Sequence, residues 1–117
     1  MRMNEVTYTD AVPVEGYGPG FFRIGGKVYD GPVAVLPTGV ASWGGYEDTH
    51  AITAIADEID VLFVGTGAEI AHIPPAFRAG LEAAGVGVEI MGSPAACRTY
   101  NVLLSEGRRI ALALIPV

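Results

Sequence analysis

The side chains that could do chemistry are concentrated in the second half of this 117-residue sequence, at two places where an apolar run ends. One place follows residues 61–65, and the other follows residues 86–90. Because ligands bind beyond the carboxyl ends of parallel strands in open α/β sheets, we expect both places to form one shared rim. The predicted rim comprises Gly65, Thr66, Gly67, Glu69, Cys97, Arg98, Tyr100 and Asn101.

Cys97 is the sole cysteine, and its position has two interpretations. A thiol near a helix N-terminus and beside Arg98 could have a lowered pKa and act as a nucleophile. A helical projection, however, places Cys97 on the same apolar arc as Tyr100 and Leu104. Free cysteine on such an arc most often acts as a small buried hydrophobe. We therefore predict an inert thiol and assign no catalytic residue.

Arg98 could grip a carboxylate or a phosphate with two hydrogen bonds through its planar guanidinium group. Asn101 carries a small propensity cost inside a helix, which indicates a side-chain hydrogen bond to a neighbouring loop. Arg98 also has a structural alternative, because it could pair with Glu69 or Glu89. The sequence leaves open whether this part of the rim binds a ligand or ties loops together.

The Gly65-Thr66-Gly67 turn could bring backbone N–H groups close to an anion at the start of a helix. It lacks the further glycine of a dinucleotide-binding fingerprint and the lysine of a P-loop, so we favour a structural turn. Glu69 and His72 could share one face of a metal ion, but two ligands do not make a zinc site. We therefore predict no metal and no cofactor.

The first half of the chain carries mainly strand signals. Residues 6–9 and 32–36 are predicted strands, and the Gly25-Gly26 pair between two short apolar runs predicts a β-hairpin. Residues 37–45, which contain the single tryptophan, are predicted as a loop.

The second half alternates strands and helices. Isoleucines at helical spacing predict one amphipathic helix over residues 49–59, capped by Asp48 or Thr49. Further helices are predicted after Pro75 and after Ser93, which is the predicted N-cap of the last helix. The remaining apolar runs predict strands at residues 61–65, 86–90 and 109–115.

This order of elements predicts an α/β fold, a single three-layer domain over residues 1–117 with a mixed central sheet. The C-terminal half is expected to contain a parallel βαβ crossover, because residues 61–90 are long enough for one. The N-terminal half is expected to contain the β-hairpin.

The composition argues against several classes of partner. A formal net charge of -6 with scattered basic residues argues against nucleic acid, and only Arg108 and Arg109 are adjacent. No run of roughly 20 apolar residues is present to insert into a membrane, and the N-terminus lacks the pattern of a signal or transit peptide. A single cysteine fits a reducing compartment. We therefore expect a bacterial, cytoplasmic protein.

The blocks AACRTYNVLLSEGRRIALALI, GTG at residues 65–67 and PP at residues 74–75 resemble a family of small uncharacterised α/β proteins. This family includes the mitochondrial respiratory complex I assembly factor 3 and the adipogenesis-associated protein. The resemblance implies a three-layer fold without an established enzyme activity and, for the mitochondrial members, a role in complex I assembly. Bacterial members are largely without assigned function, and we expect this chain to lack the N-terminal targeting segment of the mitochondrial members.

Together these patterns predict a non-catalytic binding or assembly module with an unidentified protein partner. The alternative is a small-ligand-binding protein or an enzyme that uses Glu69, Cys97 and Arg98. An assembly module should expose an apolar patch, whereas an enzyme should show a pocket with convergent polar groups and an accessible thiol. The sequence leaves the oligomeric state open.

Overall fold

The structure, a computed structural model, describes residues 12–117, and these residues form two sheets flanked by helices. The strand predicted at residues 6–9 lies outside the described residues. The elements are β1 (Val14–Gly18), β2 (Phe21–Ile24), β3 (Lys27–Asp30), β4 (Val33–Leu36), β5 (Gly39–Ser42), α1 (His50–Thr53), β6 (Val61–Thr66), α2 (Pro75–Ala83), β7 (Gly87–Met91), α3 (Ser93–Ser105) and β8 (Ile110–Ile115).

The central sheet has five strands in the order β5-β4-β8-β6-β7. β6 pairs parallel with both β7 and β8, whereas β4 pairs antiparallel with β8 and β5. The predicted parallel crossover is therefore β6-α2-β7, and the predicted mixed sheet is confirmed. Helices α2 and α3 connect strands in opposite directions along the sheet, so right-handed crossovers place them on opposite faces.

Two apolar cores cover the two faces of the central sheet, which confirms the three-layer prediction. One core contains Leu62 and Val64 of β6 together with Phe77 of α2. The other contains Phe63 of β6 and Tyr100 of α3, and it also takes side chains from the three-stranded sheet. Because successive side chains of a strand point to opposite faces, one continuous apolar run supplies both cores.

The three-stranded sheet contains the predicted hairpin. β2 and β3 pair antiparallel with Ile24 opposite Lys27, so Gly25 and Gly26 form a two-residue turn. Both glycines have positive φ, 59° and 81°, which is the backbone conformation that this hairpin turn requires. β1 pairs with the other side of β2 and completes the sheet.

The prediction of a loop over residues 37–45 is wrong at Gly39–Ser42, which form β5. The four residues of β5 pair antiparallel with β4, Leu36 lying opposite Gly39. A segment this short has little alternation of apolar and polar residues to identify it. Its strand conformation follows from pairing with the fully buried β4, which is a tertiary effect.

The single helix predicted over residues 49–59 is also wrong. The structure has one turn, α1, and then a 3₁₀ turn, because Ile55 leaves the helical region with φ -120° and ψ 24°. Ile59 is extended and buried in the core that contains Phe77, instead of continuing a helix.

Of the two predicted caps, Thr49 occupies the N-cap position of α1 but makes no side-chain cap hydrogen bond. The Asp48 carboxylate accepts a hydrogen bond from the Ala51 N–H at 3.4 Å.

Candidate functional site

The two polar segments of the second half leave the same edge of the central sheet. β6 and β7 are parallel neighbours with Val61 opposite Gly87 and Gly65 opposite Met91, as the sequence predicts. We call the region formed by residues 65–72 and 91–94 the carboxyl edge.

The buried hydroxyl of Ser93 ties three segments together at the carboxyl edge. Its Oγ donates a hydrogen bond to the Ile115 carbonyl at 2.6 Å and accepts one from the Gly67 N–H at 2.9 Å. The Ser93 N–H donates to the Gly67 carbonyl at 2.7 Å. The sequence predicts Ser93 as the N-cap of α3, and this prediction is wrong. Helix α3 begins at Ser93 itself, and Gly92 occupies the cap position. Sequence reasoning identified the serine but missed its tertiary partners.

We expect Ser93→Ala to lower the free energy of unfolding by about 1–3 kcal/mol, because the substitution leaves the Gly67 N–H and the Ile115 carbonyl without their buried partner. Urea denaturation provides the measurement. Ser105→Ala is the matched control, since Ser105 is exposed at the other end of α3 and, among the described residues, its hydroxyl donates only to the Val102 carbonyl. Equal losses of unfolding free energy for the two variants would contradict a stabilising role of the Ser93 hydrogen bonds.

Thr66 shapes the loop that follows β6. Its Oγ1 lies within donating distance of the Glu69 carbonyl, at 2.8 Å, and accepts a hydrogen bond from the Ala71 N–H at 3.0 Å. The Met91 carbonyl lies 3.2 Å from the same hydroxyl. The hydroxyl is thus used within the chain, while the side chains of Glu69 and His72 remain exposed.

The two glycines of the turn are required by space and by backbone angle. A Cβ atom at Gly65 would lie 2.6 Å from Ser93 Oγ and 2.7 Å from Leu114 Cδ2, closer than nonbonded atoms approach. Gly67 has a φ of 110°, a conformation that glycine adopts readily and other residues rarely do. Since the Gly67 N–H is already donated to Ser93, the structural turn is favoured over an anion site.

Cys97 lies on the buried face of α3, as the helical projection predicts, and it is only 3% exposed. Burial raises the pKa of its thiol from 9.0 to about 12, and the positive charge of Arg98 opposes this rise only in part. A protonated, buried thiol is a poor nucleophile. The interpretation of Cys97 as a core residue is therefore favoured over a reactive one.

We expect Cys97 in the native protein to react with a maleimide at neutral pH at least about 100-fold more slowly than in the denatured chain. The rate should increase with pH as the thiolate forms. Because the folded-state pKa is raised, the thiol's contribution to stability is fully present below pH 9 and is lost as the pH rises toward about 12. Fast labelling of the folded protein, checked by circular dichroism, would reverse this assignment.

Tyr100 and Asn101 bond to the N-terminal part of the chain. Asn101 Oδ1 accepts a hydrogen bond from the Val14 N–H, and its Nδ2 donates to the Val14 carbonyl, both at 2.9 Å. The side chain thus pairs with β1 much as a neighbouring strand would. Tyr100 is fully buried and its hydroxyl donates to the Val12 carbonyl at 3.4 Å, while burial raises the pKa of the phenol.

The predicted rim residues do not converge on one point. Helix α3 starts at the carboxyl edge and runs away from it, so Asn101 lies roughly 12 Å along the helix axis from Ser93. Arg98 is exposed, and within residues 12–117 it forms no ion pair with Glu69 or Glu89. The expected convergence of Asn101 with Glu69 is therefore wrong, because the prediction ignored the two helical turns between them.

Residues 12–117 contain no group of three or more His, Cys, Asp or Glu side chains that could hold a metal ion. Among these residues the longest helix, α3, has 13 residues, and no helix is long and apolar enough to cross a membrane.

A cavity of about 600 Å³ lies at the opposite edge of the sheet, where β6 and β8 begin. We call this cavity the amino-edge groove. It lies between the end of α3, the end of β4 and the start of β1. Sequence reasoning missed it, and the only available signal was the adjacent pair Arg108-Arg109. The groove is lined by Pro13, Pro37, Glu58, Asn101, Leu104, Ser105, Gly107, Arg108, Arg109 and Ile110.

Comparison with known proteins connects this geometry to a family. Residues 14–115 match the family described as "Protein of unknown function (DUF498/DUF598)". An uncharacterized protein of Rhodobacter capsulatus is 45% identical over 117 residues, which cover 100% of this chain and 94% of that protein. The NADH dehydrogenase (ubiquinone) 1 alpha subcomplex assembly factor 3 of Danio rerio is 36% identical over 88% of this chain. The matched part is 63% of that assembly factor's own length.

The fold is also found among solved structures. The solution structure of a Bordetella pertussis protein, described as an Mth938-like domain, superposes with a TM-score of 0.74 at 30% identity. The match covers 99% of this chain and 92% of that one. The described residues therefore have an Mth938-like α/β fold.

Proposed function

This chain belongs to the protein family of unknown function DUF498/DUF598, and from that premise we propose that it is a non-catalytic binding module that assists assembly of a multisubunit protein complex. The similarity to an assembly factor of NADH dehydrogenase in Danio rerio supports this class of function. We extend the proposal to the bacterial NADH dehydrogenase complex as the assembly target and to the cytoplasm as the location. The single buried cysteine is compatible with that compartment.

One observation supports the non-catalytic part of the proposal. Polar groups of the rim that the sequence predicts form hydrogen bonds within the chain. The hydroxyls of Thr66 and Ser93 and the amide of Asn101 all bond to the chain's own backbone. An active site needs nucleophile, base and oxyanion donors that converge on a space for substrate. Here the same groups hold loops and strands in place, which favours a rigid scaffold that presents a surface.

The enzyme alternative requires Glu69, Cys97 and Arg98 to act together. Cys97 is buried with a raised pKa, whereas Glu69 and Arg98 are exposed. A nucleophile must meet its substrate and its base within hydrogen-bonding distance. Substitution of these three residues can therefore distinguish the binding module from the enzyme.

The test is complementation in the native host after deletion of the gene. We expect deletion to reduce the amount of assembled NADH dehydrogenase, measured by native gel electrophoresis, together with NADH oxidation by isolated membranes. We expect the wild-type chain and a triple variant, Glu69→Gln with Cys97→Ala and Arg98→Ala, to restore both quantities equally. Thermal denaturation of the purified variant checks that it is folded.

Two outcomes would contradict the proposal. If deletion leaves the amount of assembled complex unchanged, an assembly role for this complex is wrong. If the folded triple variant accumulates to the wild-type level but fails to restore assembly, the result contradicts the non-catalytic interpretation and supports the enzyme alternative.

A further inference from the structure

Helix α3 exposes an apolar side chain at the centre of its outer face. Val102 is 56% exposed, and it lies on the side of the helix opposite the fully buried Ser93. A single exposed valine is common on protein surfaces, so the charges around it decide whether a partner packs there.

The charged residues that flank Val102 on this face have opposite signs. Arg98 lies four residues before it and Glu106 four residues after it, and both are exposed. Residues four apart lie one above the other on a helix, so the three side chains form one row. Arg98 and Glu106 are separated by about 12 Å along the axis. Within residues 12–117 neither of them forms an ion pair.

This order of charges is unfavourable for an isolated helix. The C-terminal end of a helix carries a partial negative charge, and Glu106, the C-cap residue of α3, adds a full one there. The last turn of α3 contains no basic residue. The next cation along the chain, Arg108, lies beyond Gly107 and lines the amino-edge groove. An antiparallel second helix would bring a cation to this end.

A shallow depression of about 270 Å³ lies beside the row. It is lined by Arg98 and Val102 on one side and by Thr99 and Leu103 on the other. These are two neighbouring rows of residues four apart, and the groove between such rows receives the corresponding ridge of another helix. The outer face of α3 therefore carries both a ridge and the groove that fits it, which makes the face complementary to itself.

We propose that the outer face of α3 packs antiparallel against the same face of a second copy of this chain, about a two-fold axis near Val102. Arg98 of each copy then lies beside Glu106 of the other, and Val102 of each copy lies in the depression of the other. A parallel arrangement would place like charges opposite each other, so the charges select the antiparallel one. The inference goes beyond the proposed function and does not depend on it.

Sedimentation equilibrium of the full chain tests for this dimer. Because the contact is confined to one helix of each copy, it is smaller than a standard interface and the association should be weak. We expect a monomer–dimer equilibrium between about 10 µM and about 1 mM protein. The dimer should weaken in about 0.5 M sodium chloride, because salt screens exposed charge pairs.

Charge reversal tests the antiparallel arrangement. Arg98→Glu and Glu106→Arg each place like charges opposite each other at two symmetric positions, so each should weaken dimerisation by about tenfold or more. The double variant restores opposite charges and should associate as the wild type does. Glu106→Arg also makes the chain less negative, so general charge repulsion predicts stronger association instead. Glu69→Arg makes the same change in net charge at the carboxyl edge and should not weaken the dimer.

Val102→Cys tests the position of the two-fold axis. A thiol on the axis meets its symmetry mate, and packed helices approach closely enough there for a disulfide. Under mild oxidation we expect the covalent dimer to form at least about tenfold faster than with Ile70→Cys, since the dimer raises the effective concentration of the thiols. Ile70 is 68% exposed at the carboxyl edge, and the native Cys97 is buried. Circular dichroism checks that every variant is folded.

Several results would overturn the inference. A wild-type chain that stays monomeric at about 1 mM has no such interface. Association that neither charge reversal weakens uses another surface, and a double variant no better than the single variants contradicts the pairing of Arg98 with Glu106. Equal oxidation rates of the two cysteine variants would exclude an axis near Val102. All these outcomes leave the complementation result intact.

Discussion

Phe77→Ala is expected to lower the free energy of unfolding by about 3–5 kcal/mol, because the ring is buried at the centre of the core between α2 and the sheet. Phe77 is 2% exposed, and its ring centroid lies 5.7 Å from that of Trp43 and 5.3 Å from that of Tyr46. Truncation would leave a cavity and remove both aromatic contacts, which themselves add to the burial energy.

Urea denaturation followed by tryptophan fluorescence can measure this loss, since Trp43 is the single tryptophan and lies beside the altered site. Ile70→Ala provides the control for loss of an apolar side chain at the surface. Ile70 is 68% exposed, so we expect its truncation to change stability by less than about 0.5 kcal/mol. A loss of that small size at Phe77 would show that the α2 face is assigned incorrectly.

Gly65→Ala is expected to lower the free energy of unfolding by about 3 kcal/mol, because there is no space for a methyl group at this position of β6. Besides the contacts with Ser93 Oγ and Leu114, the new Cβ atom would lie 2.8 Å from the Cα atom of Ser93. Backbone cannot move aside as a flexible side chain can. The expected response is therefore a shift of α3 away from β6, with loss of the Ser93 hydrogen bonds.

Gly16→Ala is the matched control, because a Cβ atom there meets no atom of residues 12–117 within 4 Å and the residue does not have a positive φ. We expect Gly16→Ala to leave the stability unchanged or slightly raised, through reduced freedom of the unfolded chain. Both variants are compared by urea denaturation. A double-mutant cycle of Gly65→Ala with Ser93→Ala should show non-additive losses, since the two sites share a contact. Additive losses would argue against the shared contact.

Under the proposed function, the internal use of these polar groups has a physical reason. Each tie at the carboxyl edge joins segments that are distant in sequence, such as Gly67 with Ser93 and Ser93 with Ile115. A binding surface needs a fixed shape more than it needs reactive groups, because ordering a loose surface on association is unfavourable. The polar groups at the carboxyl edge thus stabilise the fold.

The sequence by itself determined the elements with strong local patterns. The apolar run of β6, the helix that starts at Pro75 and the Gly25-Gly26 turn were predicted because period and turn chemistry are properties of neighbouring residues. The buried position of Cys97 followed from the same periodicity, since a helix places residues three and four apart on one face. The order of these elements was enough to predict a three-layer fold with a mixed sheet.

Only the tertiary structure decided the arrangements that join distant residues. The Asn101 amide meets Val14 across 87 positions, and the Ser93 hydroxyl meets Ile115 across 22. No local pattern encodes such pairs, because a serine or an asparagine has the same propensity whether it faces water, a ligand or another segment's backbone. The same holds for β5, which is a strand because β4 is beside it, and for the groove near Arg108, whose walls come from separate segments of the chain.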